Sequence, residues 1–324
     1  MKKTERQLGK KMILRALILG MLLYLPLFCH VQAKAQEVTV KAANPYQDLH
    51  LPTQIIQIGR SFYITDCYHD QVISAKSFVP LRDWNIVGNR LSGPHSIAGD
   101  GEILVVTDTE NNAVRVYVQD GERSSEVQTI PNVGVRPHYV IYNQEQSLFW
   151  VWSSMTGEMY RFQKIPGTTQ LVLHDVLSVP ELSGMYARSF TIDGNLVYFP
   201  CVTLSSIIAV DKTSFKICEI IPVPQNIAGI VQIQPTPYGY LLTVTTDIHA
   251  ENPAATVIWT DRLENLTEGV YTDESDLFGR GNRPYYINEV NGTYYTAVTK
   301  PDGAGIYCFK MSPQGIVGVK EVLR

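Results

Sequence analysis

Cysteine is scarce, with five residues in 324. Cys67, Cys201, Cys218 and Cys308 form neither a CxxC pair nor a zinc-ribbon spacing, which excludes a paired-cysteine metal or redox motif. So few also exclude a small disulfide framework. Those four are expected as buried free thiols on strands, with a bridge as the alternative. Helical periodicity is nearly absent beyond the N-terminus. Neither a Gly-x-Ser-x-Gly elbow nor a phosphate-cradling glycine loop occurs. Positive charge is not in surplus either: 27 Lys+Arg stand against 31 Asp+Glu, a formal charge of −4. That balance argues against a general nucleic-acid binder. Apolar side chain is present in quantity, at 45% hydrophobic and 10% aromatic residues. A disordered or collagenous chain is thereby excluded, and a large core is possible.

Long hydrophobic runs are confined to the first residues. Lys2, Lys3, Arg6, Lys10, Lys11 and Arg15 form a basic head, an apolar run spans Ala16 to Cys29, and Ala33-Lys34-Ala35 follows. This order is that of a secretory signal of bacterial type, and the run is short for a stable span. Residues 1–35 are expected to be cleaved; a retained anchor is the alternative. They hold seven of the 27 Lys+Arg and one of the 31 Asp+Glu, so the remainder carries 20 against 30, a formal charge of −10. The chain is expected outside the cytoplasm, secreted, on the cell surface or periplasmic, with no membrane span after cleavage. An acidic exported protein makes nucleic acid a poorer partner still.

The rest of the chain repeats. Short β-branched and aromatic runs recur: Phe62–Thr65, Ile103–Val106, Leu148–Trp152, Leu196–Phe199, Tyr240–Val244 and Tyr294–Val298. Gly, Asn, Asp or Pro bound each of them, as expected of strands. Each has a lead-in, at Pro52, Pro94, Pro137, Ala187, Gly229 and Pro284, spaced by 42, 43, 50, 42 and 55 residues. The first two units agree inside as well: Ile64-Thr65-Asp66 precedes Val72 as Val106-Thr107-Asp108 precedes Val114. A period of about 40–50 residues with several strands per unit is the sign of a propeller. The expected architecture is all-β, a six-bladed β-propeller with four-stranded antiparallel blades over residues 51–324. Residues 36–50 form an N-terminal segment, in which Val38-Thr39-Val40 would add an edge strand to the last blade. A double-sheet sandwich would not require the repeated lead-in.

The stretch from Gly93-Pro94-His95-Ser96-Ile97-Ala98 through Val105-Val106-Thr107-Asp108 to Asn111 and Tyr117 resembles an NHL repeat. The first unit resembles it less closely, and the others keep only parts. The resemblance implies a six-bladed propeller, a fold that hosts lyases, lactonases, synthases and pure interaction modules. More narrowly, Pro94-His95 and Pro137-His138 resemble lead-ins of the peptide-amidating lyases, whose zinc is held by histidines in Pro-His lead-ins of three blades. That resemblance implies His95 and His138 as ligands of a divalent metal, zinc or calcium. Tyr285 stands where a third histidine would be wanted, and a third ligand would have to come from His69 or an acid. A catalytic zinc takes about three protein ligands plus water.

The residue after each lead-in should start an innermost strand and face the central channel. Around the ring these are Thr53, His95, His138, Arg188, Ile230 and Tyr285. The set is more polar than a spacer needs. Arg188 and Arg283 could recognise a carboxylate through a bidentate fork; a charge pair with a nearby acid is the alternative. Asp66 and Asp108 read as turn-bonding structural acids, and Glu102, Glu110 and Asp120 as solvated loop acids. Tyr68-His69-Asp70 reads as a loop with an exposed histidine. His50, His174 and His249 have no convergent partners in the sequence. Trp150, Trp152, Tyr160 and Phe162 are expected to pack between blades, and packing is also favoured for Tyr285-Tyr286 and Tyr294-Tyr295 over a place at the channel mouth.

The leading expectation is a monomeric exported binding module. It would take a small-molecule or protein ligand at the channel face through His95, His138, Arg188 and Tyr285. The alternative is a metal-dependent lyase or hydrolase of a small organic substrate, with His95 and His138 as ligands. In that reading Arg188 holds anionic groups and Tyr285 serves as acid or base. A third option is a scaffold with an inert channel.

Overall fold

The structure, a computed structural model, describes residues 43–324. The expected leader (1–35) and the Val38–Val40 strand lie outside the described residues. From Pro52 to Leu323 the chain forms six four-stranded antiparallel sheets, each a simple meander from one continuous segment. The blades span 52–88, 97–131, 137–178, 191–222, 229–273 and 283–323. The architecture is the expected six-bladed propeller. Ala43 adds one bridge, to Asn85 on the outermost strand of blade 1. Among the described residues no helix is long and apolar enough to cross a membrane.

Strand alternation decides where the core lies. Each sheet is wedged between two others, so both faces of its middle strands are apolar. Leu148–Ser153, the second strand of blade 3, is buried throughout. Six apolar clusters result, one in each seam between neighbouring blades. Trp150 and Trp152 fill the seam of blades 3 and 4, while Phe162, with Tyr160 against it, fills that of blades 2 and 3. Packing explains them, as their alternation suggested. Cys67, Cys201 and Cys308 are buried free thiols, and Cys218 is an exposed one.

The innermost strands cannot share a ladder, so side chains latch them. Thr53 donates to the His95 carbonyl (2.8 Å) and Gln54 accepts the Ile97 N–H (2.7 Å), joining blades 1 and 2. Ser96 exchanges bonds with Val140 (3.3 and 3.2 Å), and Ser189 donates to Val231 (2.6 Å). Gln232 takes both backbone groups of Ile287 (2.6 and 3.0 Å). Each bond satisfies a buried group that would otherwise be orphaned.

The two matched units share a second device. Asp66 accepts the His50 N–H (2.8 Å) and Asp108 the Ser92 N–H (2.7 Å), each 16 residues back. Both acids are fully buried. Four residues on, Asp70 and Asn112 are left-handed (φ 52° each). Their side chains accept the N–H groups of Gly93 and Arg136 (2.8 Å each), at the entrance of the next blade. Asn112→Ala removes that bond and keeps an unfavourable φ. It should cost about 1–2 kcal/mol, read in the urea midpoint; an unchanged midpoint would refute the role given to Asn112.

Candidate functional site

Backbone strain aims side chains at one end of the channel. Leu51, Gly93, Arg136 and Tyr186 each lie two residues before a ring position. All four are left-handed, at φ 59°, 59°, 57° and 52°. For the three with side chains this costs on the order of 1 kcal/mol each. All four line a cavity of about 720 Å³, together with the ring residues His95, Arg188 and Tyr285.

His95 forms the floor. Its ring stacks on His138 (centroids 3.9 Å, 18°) and faces Tyr285 (6.0 Å, 21°). His138 lies beneath it, fully buried, and His95 is only 8% exposed. The bonds around His138 assign its proton. Tyr286 donates to the Arg188 carbonyl (3.2 Å), so its oxygen accepts from His138 Nδ1 (2.9 Å). His138 Nε2 is then a lone-pair acceptor without a partner. Cys67 Sγ lies 3.7 Å from His95 Nε2. Burial and the nearby Asp70, Asp66 and Glu110 push this thiol up to about 12. It therefore stays protonated, one proton joins Sγ and His95 Nε2, and His95 Nδ1 has no partner among the described residues. Cys67 is no nucleophile in this setting. Burial, reinforced by Arg188 and Arg136, lowers His95 to about 3, and burial with His95 beside it holds His138 well below the usual range. Both imidazoles are neutral at physiological pH. Burial raises Tyr285 well above its ordinary value, which removes it as a general base near neutrality.

The cations differ in how they are used. Arg136 pairs with Glu110 (2.7 Å). Arg283 donates to the Asn252 side chain (2.9 Å). Arg188 donates to Thr245 Oγ1 (2.6 Å), and its guanidinium lies 5.2 Å from the Tyr186 ring centroid, but no carboxylate pairs with it among the described residues. Among the described residues the charge pair considered from sequence is absent for Arg188. Glu110 is half-exposed at the rim rather than a plain solvated acid.

The ring positions do not all reach the cavity. His95, Arg188 and Tyr285 line it, His138 backs it, Thr53 is spent on the His95 carbonyl, and Ile230 enters the core between blades 4 and 5. In blade 5 Ala228, two residues before Ile230, is right-handed (φ −61°). Tyr285 does flank the mouth, while Tyr286 and Tyr294 pack, and Tyr295 packs at the seam of blades 6 and 1. His69 is not the exposed loop residue expected: it stacks on Tyr46 (3.6 Å) and bonds Asp66 (2.7 Å). Sequence reasoning missed Arg136, Tyr186, Cys67 and His50. The usable signal was position: Arg136 and Tyr186 precede ring positions by two residues.

The side chains present do not fit the zinc that the amidating-lyase resemblance implies. Zinc needs lone pairs that converge, whereas stacked His95 and His138 rings set theirs side by side. His138 Nδ1 is bonded to Tyr286 and His69 Nδ1 to Asp66. No cluster of three or more His, Cys, Asp or Glu ligands forms among the described residues, and calcium would ask for about six oxygens or more. Full-length protein should therefore retain no stoichiometric zinc or calcium after mild dialysis; one metal per chain, lost in His95→Ala, would reverse this reading.

Neither a protein-family model nor a curated protein matches the chain. Solved structures do. A 6-phosphogluconolactonase-like protein of Bacteroides fragilis aligns at 12% identity over 84% of this chain and 83% of its own, with a TM-score of 0.57. Virginiamycin B lyase of Staphylococcus aureus aligns at 13% over 88% of both chains (TM-score 0.56). A streptogramin B lyase aligns at 12% over 88% of this chain and 98% of its own (TM-score 0.54). Likeness at this identity shows the fold alone: the chain is a six-bladed β-propeller.

Proposed function

We propose that the protein is an exported, NHL-like binding module whose channel-mouth cavity takes a small organic anion. Arg188 carries the reading. A guanidinium in a cavity wall without a carboxylate partner is costly until an anion completes it. The wall supports it, with Arg136, Arg188 and Arg283 against Asp70 and Glu110. That surplus of positive charge stands on a chain whose residues after 35 sum to −10. The neutral imidazoles add hydrogen-bonding groups without adding charge. The matched frames of Asp66 and Asp108 support the NHL-like character of blades 1 and 2.

Binding is expected to need the Arg188 fork. A panel of organic carboxylates and phosphates, screened by melting temperature and then by calorimetry, should yield at least one ligand. Arg188→Gln should weaken it about 30-fold or more. A panel that leaves the melting temperature unmoved, or a variant that binds as tightly as the parent, would defeat the proposal.

A further inference from the structure

The cavity also says what kind of anion. Pockets for flat aromatic or lipid-like ligands are lined mainly by apolar side chains. Here Leu51 is the one aliphatic side chain in the wall. Hydroxyls take that place, at Ser92, Thr246 and Thr299, while Thr245 is bonded to Arg188, Asp70 to the Gly93 N–H and Glu110 to Arg136. Such hydroxyls suit a ligand that carries hydroxyls of its own. The floor adds a neutral imidazole, His95, a hydrogen-bonding group without charge. Three aromatic rings, Tyr68, Tyr186 and Tyr285, complete the wall. They offer faces on which the C–H side of a sugar ring can rest.

From these three features we infer that the ligand is a sugar acid, a pyranose bearing a carboxylate, with the carboxylate on Arg188 and the ring against Tyr285 or Tyr186. This rests on the anion reading above and narrows it. A volume of about 720 Å³ admits a short oligomer rather than a single ring. Tyr68, 62% exposed, stands at the rim to meet a further residue of it.

The test is calorimetry on the full chain with trigalacturonate and triglucuronate. Their methyl esters keep every ring and hydroxyl and remove the charge; benzoate keeps a carboxylate and removes the hydroxyls. One uronate trimer should bind, its ester about 30-fold or more weaker, and benzoate not measurably. Arg188→Lys, which keeps charge and fold but loses the fork, should bind weakly. Tyr68→Ala, an exposed change, should lower affinity about threefold or more. Arg188-dependent binding of benzoate with silence from both trimers would overturn the sugar inference and leave the anion reading standing. Equal binding of trimer and ester would overturn both.

Discussion

Trp84→Ala should destabilise the protein by about 3–5 kcal/mol, a drop in melting temperature of roughly 10 °C for a domain of this size. Trp84 is fully buried in the cluster shared by blades 6 and 1, with Ile55, Ile64, Ala297, Ile306 and Leu323. This seam differs from the other five. They are crossed by the chain itself, whereas here blade 1 begins the ring and blade 6 ends it. Each sheet takes all four strands from its own segment, so among the described residues no exchanged strand ties the ring shut. Closure rests on side-chain packing and a long contact from Gln54 to Asn288 (3.5 Å). Removing the indole leaves a cavity where nothing covalent resists opening, and strips the Val79 carbonyl of its donor (3.0 Å). Chemical denaturation would measure it. A loss below about 1 kcal/mol would mean the seam is held by something other than this cluster.

Acid should weaken the protein well above the range where most carboxylates titrate. His95 falls from 6.5 to about 3 on folding because burial, with Arg188 and Arg136 nearby, penalises its charged form. The unfolded chain therefore binds the proton more tightly than the folded one. Stability is full above about pH 6.5 and is lost progressively as pH falls toward 3. At pH 5 the His95 contribution is about 2 kcal/mol. His138, held down by burial and by His95, adds a loss of the same sign. Urea unfolding at pH 7.5 and 5.0 would show it, and His95→Gln should reduce the difference by about 2 kcal/mol. Parallel losses in parent and variant would mean that His95 is not the buried neutral group described here.

The fold was legible because a propeller is local. Each blade pairs strands that follow one another in sequence, so a run such as Leu148–Trp152 reveals its own place. Apolar residues on both faces of the middle strands, with lead-ins every 42 to 55 residues, left a ring of wedged sheets as the arrangement able to bury them. Even small devices were readable: Asp66 and Asp108, matched in sequence, make matched backbone bonds.

The site was legible only in part. Counting ring positions found His95, Arg188 and Tyr285 on the cavity wall and His138 behind it, since the repeat sets them at matching points of their lead-ins, although His95 and Arg188 lie just before their innermost strands (Ile97–Gly99 and Thr191–Asp193) rather than in them. It could not find the left-handed turns at Arg136 and Tyr186, because neither residue type advertises that conformation. Nor could it exclude Ile230, which packs into the seam of blades 4 and 5. Two histidines in consecutive lead-ins suggested a shared metal; whether their lone pairs converge depends on the angle between blades, and the rings stack instead. The sequence determined, by local periodicity, that six blades form and which face of each strand looks inward. The tertiary structure alone decided which inward side chains share one cavity, which are spent as latches, and that Arg188 meets no acid among the described residues, because those outcomes depend on how sheets distant in the chain are rotated against one another.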